Sequence, residues 1–227
     1  MTEEHVENQP KIAIDNETNE WLANQDTCLP INGKDIPGFK EWVCWNGFQL
    51  DRETGKGHSG FDFAAYLTQD GDVILGLPPE TPVRAVADGV VAQVLDNPEA
   101  VGGGYGVMMS IEHGAHDSGM FSTYVHVVPI IEFGAKVRKG DIIGSLYKDP
   151  GMDEGRLVHL HLETISGWGT KGSSILGGGK NLRYDDPAIL DESIYNLKTD
   201  PQGSSDFSIP LLDNPKIKLA NFNKIRV

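Results

Sequence analysis

The stretch VHLHL at residues 158–162 alternates apolar with polar side chains. This period of two predicts a half-buried strand. Because residues i and i+2 of a strand point to the same face, His159 and His161 should face a cleft together while their apolar neighbours face a core. Side chains about 7 Å apart along a strand can both bind one metal ion, or one can bind while the other reaches a nearby water. Two surface histidines on an amphipathic strand are the alternative.

A further histidine and a carboxylate occur earlier, in HSGFD at residues 58–62. A helix would place His58 and Asp62 on one face, but the glycines on both sides of His58 are costly inside a helix. We therefore predict a loop that enters a strand at FDF, with Asp62 on the polar side between two aromatic core residues. The alternative is an ordinary turn with a surface aspartate.

A third segment, MFSTYVHVV at residues 120–128, is rich in β-branched and aromatic residues and predicts one more strand. Its only histidine, His126, is an ordinary packed or surface residue unless this strand borders the same cleft. A zinc enzyme needs three protein ligands, an open fourth position for water and a nearby group that moves protons. The three segments together contain those groups.

The order H-x-x-x-D, T-Y-x-H and H-L-H-x-E resembles the lysostaphin/LytM-type zinc endopeptidases, which cut peptide bonds in bacterial peptidoglycan. Supporting segments occur in the same order as in that family, and the resemblance covers residues 40–190. These segments are Thr81–Val91, Gly104–Gly106, Val137–Gly144 and Asp185–Pro187.

The resemblance implies a metalloendopeptidase that holds one Zn²⁺ per chain and hydrolyses stem-peptide cross-links through a zinc-activated water. It implies that His58, Asp62 and His161 are the zinc ligands. His126 and His159 would be catalytic and flank the water and the substrate carbonyl. We expect His159 to carry the proton and His126 to orient the water or stabilise the oxyanion, although the sequence does not order these two roles.

Short strands between glycine turns predict a mainly β protein, an antiparallel β-sandwich or barrel-sandwich-like peptidase domain with long loops that wall a groove. Residues 68–77 look like an insertion, and residues 167–184 form a long glycine-rich stretch. One short helix is expected near the C-terminus, at 187–197. The predicted division is an acidic, flexible N-terminal arm at 1–36, a zinc endopeptidase domain at 37–198 and a C-terminal extension at 199–227.

The formal net charge of −14 argues against nucleic-acid binding, which needs a basic surface. Acidic residues are concentrated in residues 2–26, where Lys11 is the only lysine or arginine. This composition predicts a solvated arm. An inhibitory or docking arm over the cleft is the functional alternative.

Met1 is followed by acidic residues rather than by the pattern of a signal peptide, and no segment has the length of a membrane span. Peptidoglycan lies outside the cytoplasm, so we expect action in the periplasm or cell wall by a mature fragment, a phage lysin or an antibacterial secretion-system effector. The expected partners are peptidoglycan peptides and either a cognate inhibitor or a delivery machine.

Cys28 and Cys44 can form one disulfide in an oxidising compartment, or remain two thiols. Two other functions compete with the leading hypothesis. A catalytically silent relative would bind and activate another cell-wall hydrolase, although such relatives typically lack zinc ligands. A cupin-type metal protein would use Glu163 as a ligand and would leave His58 and Asp62 unexplained.

Overall fold

In the described part of the computed structural model, the regular secondary structure consists almost entirely of β-strands, which confirms the predicted mainly antiparallel β class. One short 3-10 helix spans Gly33–Asp35. The helix predicted at 187–197 lies outside the described residues. The structure describes residues 27–43, 57–96, 107–114, 120–148, 157–166, 183–185 and 217–219. The strands are β1 Phe39–Val43, β2 Phe61–Phe63, β3 Ala65–Thr68, β4 Val73–Leu75, β5 Pro82–Arg84, β6 Gly89–Leu95, β7 Met108–Glu112, β8 Met120–Val125, β9 Val127–Pro129, β10 Lys136–Val137, β11 Ile142–Leu146, β12 Leu160–Ser166, β13 Arg183–Asp185 and β14 Ile217–Leu219.

The largest sheet has the strand order β10-β6-β7-β8-β12-β13, and its neighbouring strands are antiparallel. The short strand β2 also pairs with β12, at Leu160–Leu162, whereas β13 pairs with its end at Thr164–Ser166. Along its first residues, β12 therefore lies between β8 and β2. This position brings the three sequence segments singled out above into direct contact.

The alternation along β2 and β12 separates core side chains from polar ones. Phe61 and Phe63 are each 1% exposed, and Leu160 and Leu162 are fully buried in the same apolar cluster. Removing each such side chain from water stabilises the fold by about 1.5–3 kcal/mol. The core thus fixes which face of each strand its polar residues occupy.

The segment predicted as one strand at 120–128 is divided into β8 and β9 at His126. The backbone of His126 has a φ of 66°, which lies in the left-handed region and costs a non-glycine residue about 1–2 kcal/mol. Its N–H donates to the carbonyl of Val107, and its carbonyl accepts from the N–H of Tyr147. These two hydrogen bonds hold the break in place.

Two smaller sheets accompany the largest one and have the orders β1-β3-β4-β14 and β5-β11-β9. The stretch predicted as an insertion at 68–77 includes the turn and second strand of the β3–β4 hairpin, and Gly71 in this turn has a φ of 85°. Strand β14 from the predicted C-terminal extension pairs in parallel with β4. Both additions extend one β-sheet.

The end of the predicted N-terminal arm packs against the domain. Ile31 is fully buried and Ile36 is 3% exposed, and both belong to the main core cluster. Residues 1–26, which carry the acidic cluster, lie outside the described residues. The thiol of Cys28 donates to the carbonyl of Ala85, and its predicted disulfide partner also falls outside the described part, so that disulfide stays a prediction.

The loops expected to wall a groove fall largely outside the described ranges, among them most of residues 167–184. Within the described ranges, the protein has no helix that is both long and apolar enough to cross a membrane.

Candidate metal centre

The strand register places Asp62 beside His161. In the β2–β12 pair, Asp62 lies opposite His161. On the other side of β12, Val125 of β8 lies opposite His161. Directly opposed residues of an antiparallel pair project to the same face of the sheet. One row across three strands therefore carries Asp62 and His161 and ends next to His126.

His58 reaches the same point from the loop that precedes β2. Gly60 in this loop lies directly against β12, because a Cβ added there would be 2.3 Å from the carbonyl oxygen of Leu162 and 2.9 Å from Nε2 of His161. Real side chains do not tolerate such distances. The absence of a side chain at Gly60 lets the loop approach the strand closely enough for His58 to meet His161.

Three donor atoms converge within a few ångströms, and we call His58, Asp62 and His161 the donor cluster. Nε2 of His58 lies 3.1 Å from Oδ1 of Asp62 and 3.0 Å from Nδ1 of His161. The same Nδ1 lies 2.8 Å from Oδ1 of Asp62. Two imidazole nitrogens and one carboxylate oxygen form a ligand set that suits a catalytic zinc ion. The residues present therefore fit the metal that the sequence predicts.

The electrostatics of the donor cluster keep Asp62 ionised. Burial acts to raise the pKa of Asp62, but hydrogen bonds from His161 and His58 and the nearby charge of His159 lower this pKa well below its usual range. Burial acts to lower the pKa of His161, whereas hydrogen bonds to Asp62 and Glu163 raise it to about 9. A metal ion that binds here must displace a proton from His161.

The two predicted catalytic histidines lie together beside the donor cluster. The ring centroids of His126 and His159 are 4.6 Å apart, and Nε2 of His159 is 3.8 Å from Oδ1 of Asp62. Nδ1 of His159 donates to the carbonyl of Leu157 at 2.8 Å. This hydrogen bond places the proton on Nδ1, so the lone pair of a neutral His159 is on Nε2, which faces the cluster.

Sequence reasoning missed the roles of Ser59 and Glu163. Glu163 is 4% exposed, and its Oε1 accepts from Oγ of Ser59 at 2.5 Å and from Nε2 of His161 at 3.2 Å. Glu163 therefore contacts Nε2 of His161, the ring nitrogen that does not face Asp62. Among the described residues, Glu163 is not a member of the donor cluster. This position disfavours the cupin-type alternative. The period of two along β12 was the available signal, because it puts residues 161 and 163 on one face.

One protein-family model matches the part of the chain that contains these residues. The family model Peptidase family M23 matches residues 56–172, a range that includes every member of the donor cluster and both neighbouring histidines. The chain belongs to peptidase family M23. Among the curated proteins, none has a sequence that matches this M23 chain.

Solved structures similar to this M23 chain include a zinc-containing peptidase from Vibrio cholerae, with 22% identity and a TM-score of 0.38 over 62% of this chain and 37% of that one. The catalytic domain of the prophage-encoded M23 protein EnpA from Enterococcus faecalis, in a mutant form, has 21% identity and a TM-score of 0.41 over 70% and 94%. The catalytic domain of the antimicrobial peptidase lysostaphin from Staphylococcus simulans has 18% identity and a TM-score of 0.42 over 70% and 98%. The chain thus spans well under half of the Vibrio cholerae relative.

Proposed function

We propose that this M23 chain is a zinc-dependent endopeptidase that hydrolyses peptide bonds in the stem-peptide cross-links of bacterial peptidoglycan. The observation that carries the proposal is the convergence of the three donor atoms next to two partly exposed histidines. A site that served only to stabilise the fold would not need His126 and His159 at its mouth. The resemblance of the ordered motifs supports peptidoglycan as the substrate and the periplasm or cell wall as the place of action.

The donor cluster would hold the zinc ion through Nε2 of His58, Oδ1 of Asp62 and Nδ1 of His161, the atoms that face one another. When bound, zinc supplies a Lewis acid that polarises a carbonyl group and lowers the pKa of water to about 7. Asp62 contributes the only negative charge of the three ligands, and Phe61 and Phe63 on the opposite face anchor its strand in the core.

His159 is suited to accept a proton from the attacking water. Its Nδ1–H is committed to the carbonyl of Leu157, which leaves the lone pair of Nε2 directed to the site. The side chain is 23% exposed, so a water and a substrate can reach it. General-base catalysis by a positioned imidazole typically contributes about 10²–10⁴-fold to the rate.

His126 is suited to orient the water or to donate a hydrogen bond to the oxyanion that forms on the scissile carbonyl. Its left-handed backbone is fixed by hydrogen bonds to Val107 and Tyr147, and its ring lies against that of His159. A backbone held in this conformation at a site mouth is typical of functional positions. Loss of one oxyanion donor typically costs about 2.7–4 kcal/mol of barrier.

The test is digestion of purified sacculi by the zinc-loaded protein, with the released fragments identified by mass spectrometry. We expect new peptide termini from the wild-type protein and none from His159→Ala or from chelator-treated protein. Addition of zinc after the chelator should restore cleavage. Thr164→Val is the matched control, because Thr164 is a buried polar residue of β12, which begins directly after His159, and is not a member of the donor cluster.

The outcome that contradicts the proposal is an absence of cleavage in sacculi of several chemotypes although zinc is bound. That result would favour the catalytically silent alternative, in which the chain binds and activates another hydrolase. Cleavage by His159→Ala at the wild-type rate would leave the peptidase proposal intact and remove His159 from the mechanism.

A further inference from the structure

We propose that Glu163, together with Ser59, positions the zinc ligands: it fixes the proton of His161 on Nε2 and ties the His58 loop to β12. The inference rests on the proposed function in one respect, because it takes zinc as the ion that the donor cluster binds. Neither residue offers an atom to the donor cluster. Both act through the ligands beside them.

Glu163 determines the position of one proton on the imidazole of His161. An ionised carboxylate can only accept hydrogen bonds, so the 3.2 Å contact requires the His161 proton on Nε2. The Nδ1 proton of His161, which donates to Oδ1 of Asp62 at 2.8 Å, is then the one that a metal ion displaces. Its removal leaves a lone pair on the atom that lies 3.0 Å from Nε2 of His58. Without Glu163, a neutral His161 could carry its proton on Nδ1 instead, and this N–H would donate to Asp62. Nδ1 would then have no lone pair for the metal ion.

Ser59 holds the loop that carries His58 against β12. Ser59 directly follows His58, and its hydroxyl donates to the same Oε1 that accepts from His161. Glu163 thus connects both histidine ligands from one oxygen atom. Gly60 brings the loop against the backbone of β12, and the hydrogen bond of Ser59 fixes the loop there. Rotation of the loop away from β12 would carry His58 out of the donor cluster.

Glu163 is a buried acid, and its burial needs a physical reason. Glu163 is 4% exposed, and a carboxylate at such a position destabilises the fold unless hydrogen bonds compensate it. An apolar residue would fill this place on β12 at a lower cost. Carboxylates that accept from a metal-bound histidine orient the ring and raise its basicity, and their loss typically lowers metal affinity about 10–100-fold. This role explains why a buried acid occupies the strand.

The experiment measures zinc affinity by competition with a chromophoric chelator for wild type, Glu163→Ala, Glu163→Gln, Ser59→Ala and Thr164→Val. Glu163→Ala should bind zinc about 10–100-fold more weakly. Glu163→Gln should recover most of the affinity, because its amide oxygen still accepts both hydrogen bonds. Ser59→Ala should lie between these two variants, since it loses the loop contact alone.

Thr164→Val is the matched control for a buried polar residue of β12. Among the described atoms, Oγ1 of Thr164 has no hydrogen-bond partner, and valine has the same shape. Its zinc affinity should equal that of wild type. Zinc affinity of Glu163→Ala equal to that of Thr164→Val would overturn the inference. If Glu163→Ala does not fold, Ser59→Ala, which keeps the packing of β12, decides the question by the same comparison.

A spectroscopic measurement separates positioning from simple support of the fold. In ¹⁵N-histidine NMR of the zinc-loaded protein, the remaining proton of His161 should be on Nε2 in wild type and in Glu163→Gln. A proton on Nδ1 in the wild-type protein would overturn the inference, because zinc would then be bound through the other nitrogen.

The two proposals fail in different ways. Zinc affinity that depends on Glu163, without any cleavage of sacculi, would contradict the peptidase and keep the positioning role. Cleavage by the wild-type protein, together with unchanged zinc affinity in the Glu163 and Ser59 variants, would contradict the positioning role alone. A wild-type protein that binds no zinc would overturn both.

Discussion

Asp62 is the only carboxylate of the donor cluster, and its neighbours determine its charge. The side chain is 10% exposed, yet the imidazoles of His161 and His58 lie within hydrogen-bond distance of Oδ1. Against the effect of burial, these contacts keep the pKa of Asp62 far below its ordinary value. The ionised Asp62 therefore brings a negative charge to the point where the two imidazoles meet, which favours a cation there.

Asp62→Asn tests this residue with almost no change in shape. The amide loses the negative charge and is a poorer ligand, so zinc affinity should fall by more than about tenfold. The measurement is the zinc content of the purified protein after dialysis, by elemental mass spectrometry. Asp35→Asn is the control, because Asp35 pairs with Arg84 and is not part of the donor cluster. Full zinc occupancy in Asp62→Asn would refute the ligand role.

Strand β12 was predictable from the sequence, whereas the junction between β8 and β9 was not. The alternation VHLHL placed His161 opposite the core side chains, although His159 lies just before the strand that begins at Leu160. The segment 120–128 has the composition of an unbroken strand, and no glycine marks the left-handed turn at His126. Contacts with Val107 and Tyr147, which are distant in sequence, set this turn.

Variants of His126 should separate stability from activity. His126→Asn should retain the left-handed backbone, because asparagine tolerates this region better than most residues. His126→Val should lower the free energy of unfolding by about 1–2 kcal/mol more than His126→Asn, as measured by urea denaturation. Both variants should lose most peptidase activity in the sacculus assay. Equal stability of the two variants would contradict the strain at this position.

At the scale of the whole molecule, the sequence predicted the β class and the segments that meet, but not how buried polar groups connect the sheet. His113 after β7 is 1% exposed, and its Nδ1 donates to the carbonyl of Asp88 at 2.9 Å. The hydroxyl of Ser122 lies 2.7 Å from its Nε2 and 3.0 Å from the hydroxyl of Tyr124. Such networks depend on strand register, which local pattern does not specify.

The buried His113 makes global stability depend on pH. Burial lowers its pKa below the ordinary 6.5, while the nearby Asp88 acts in the opposite direction. The unfolded chain therefore takes up this proton at a higher pH than the folded protein does. The contribution of the neutral His113 to stability is fully present above pH 6.5. This contribution decreases as the pH falls from there towards the lowered pKa, by about 1.4 kcal/mol per unit of pKa shift.

His113→Gln removes this titration and tests its share of the pH dependence. The difference in free energy of unfolding between wild type and His113→Gln should shrink as the pH falls from about 7 to about 5. Urea denaturation of both metal-free proteins at each pH supplies the measurement, and the comparison cancels groups common to both. Parallel pH profiles would contradict the assignment.

His58 and His161 are 103 positions apart in the chain, so a ribosome makes the first of them well before the second. At the usual synthesis rate of about 5–20 residues per second, that interval lasts roughly 5–20 seconds. Throughout it, the growing polypeptide carries two of the three donors and lacks β12, the strand against which the His58 loop is held. Under the proposed function, hydrolytic activity would thus begin only after β12 has been synthesised and docked, and a partial translation product that ends before β12 would be inactive.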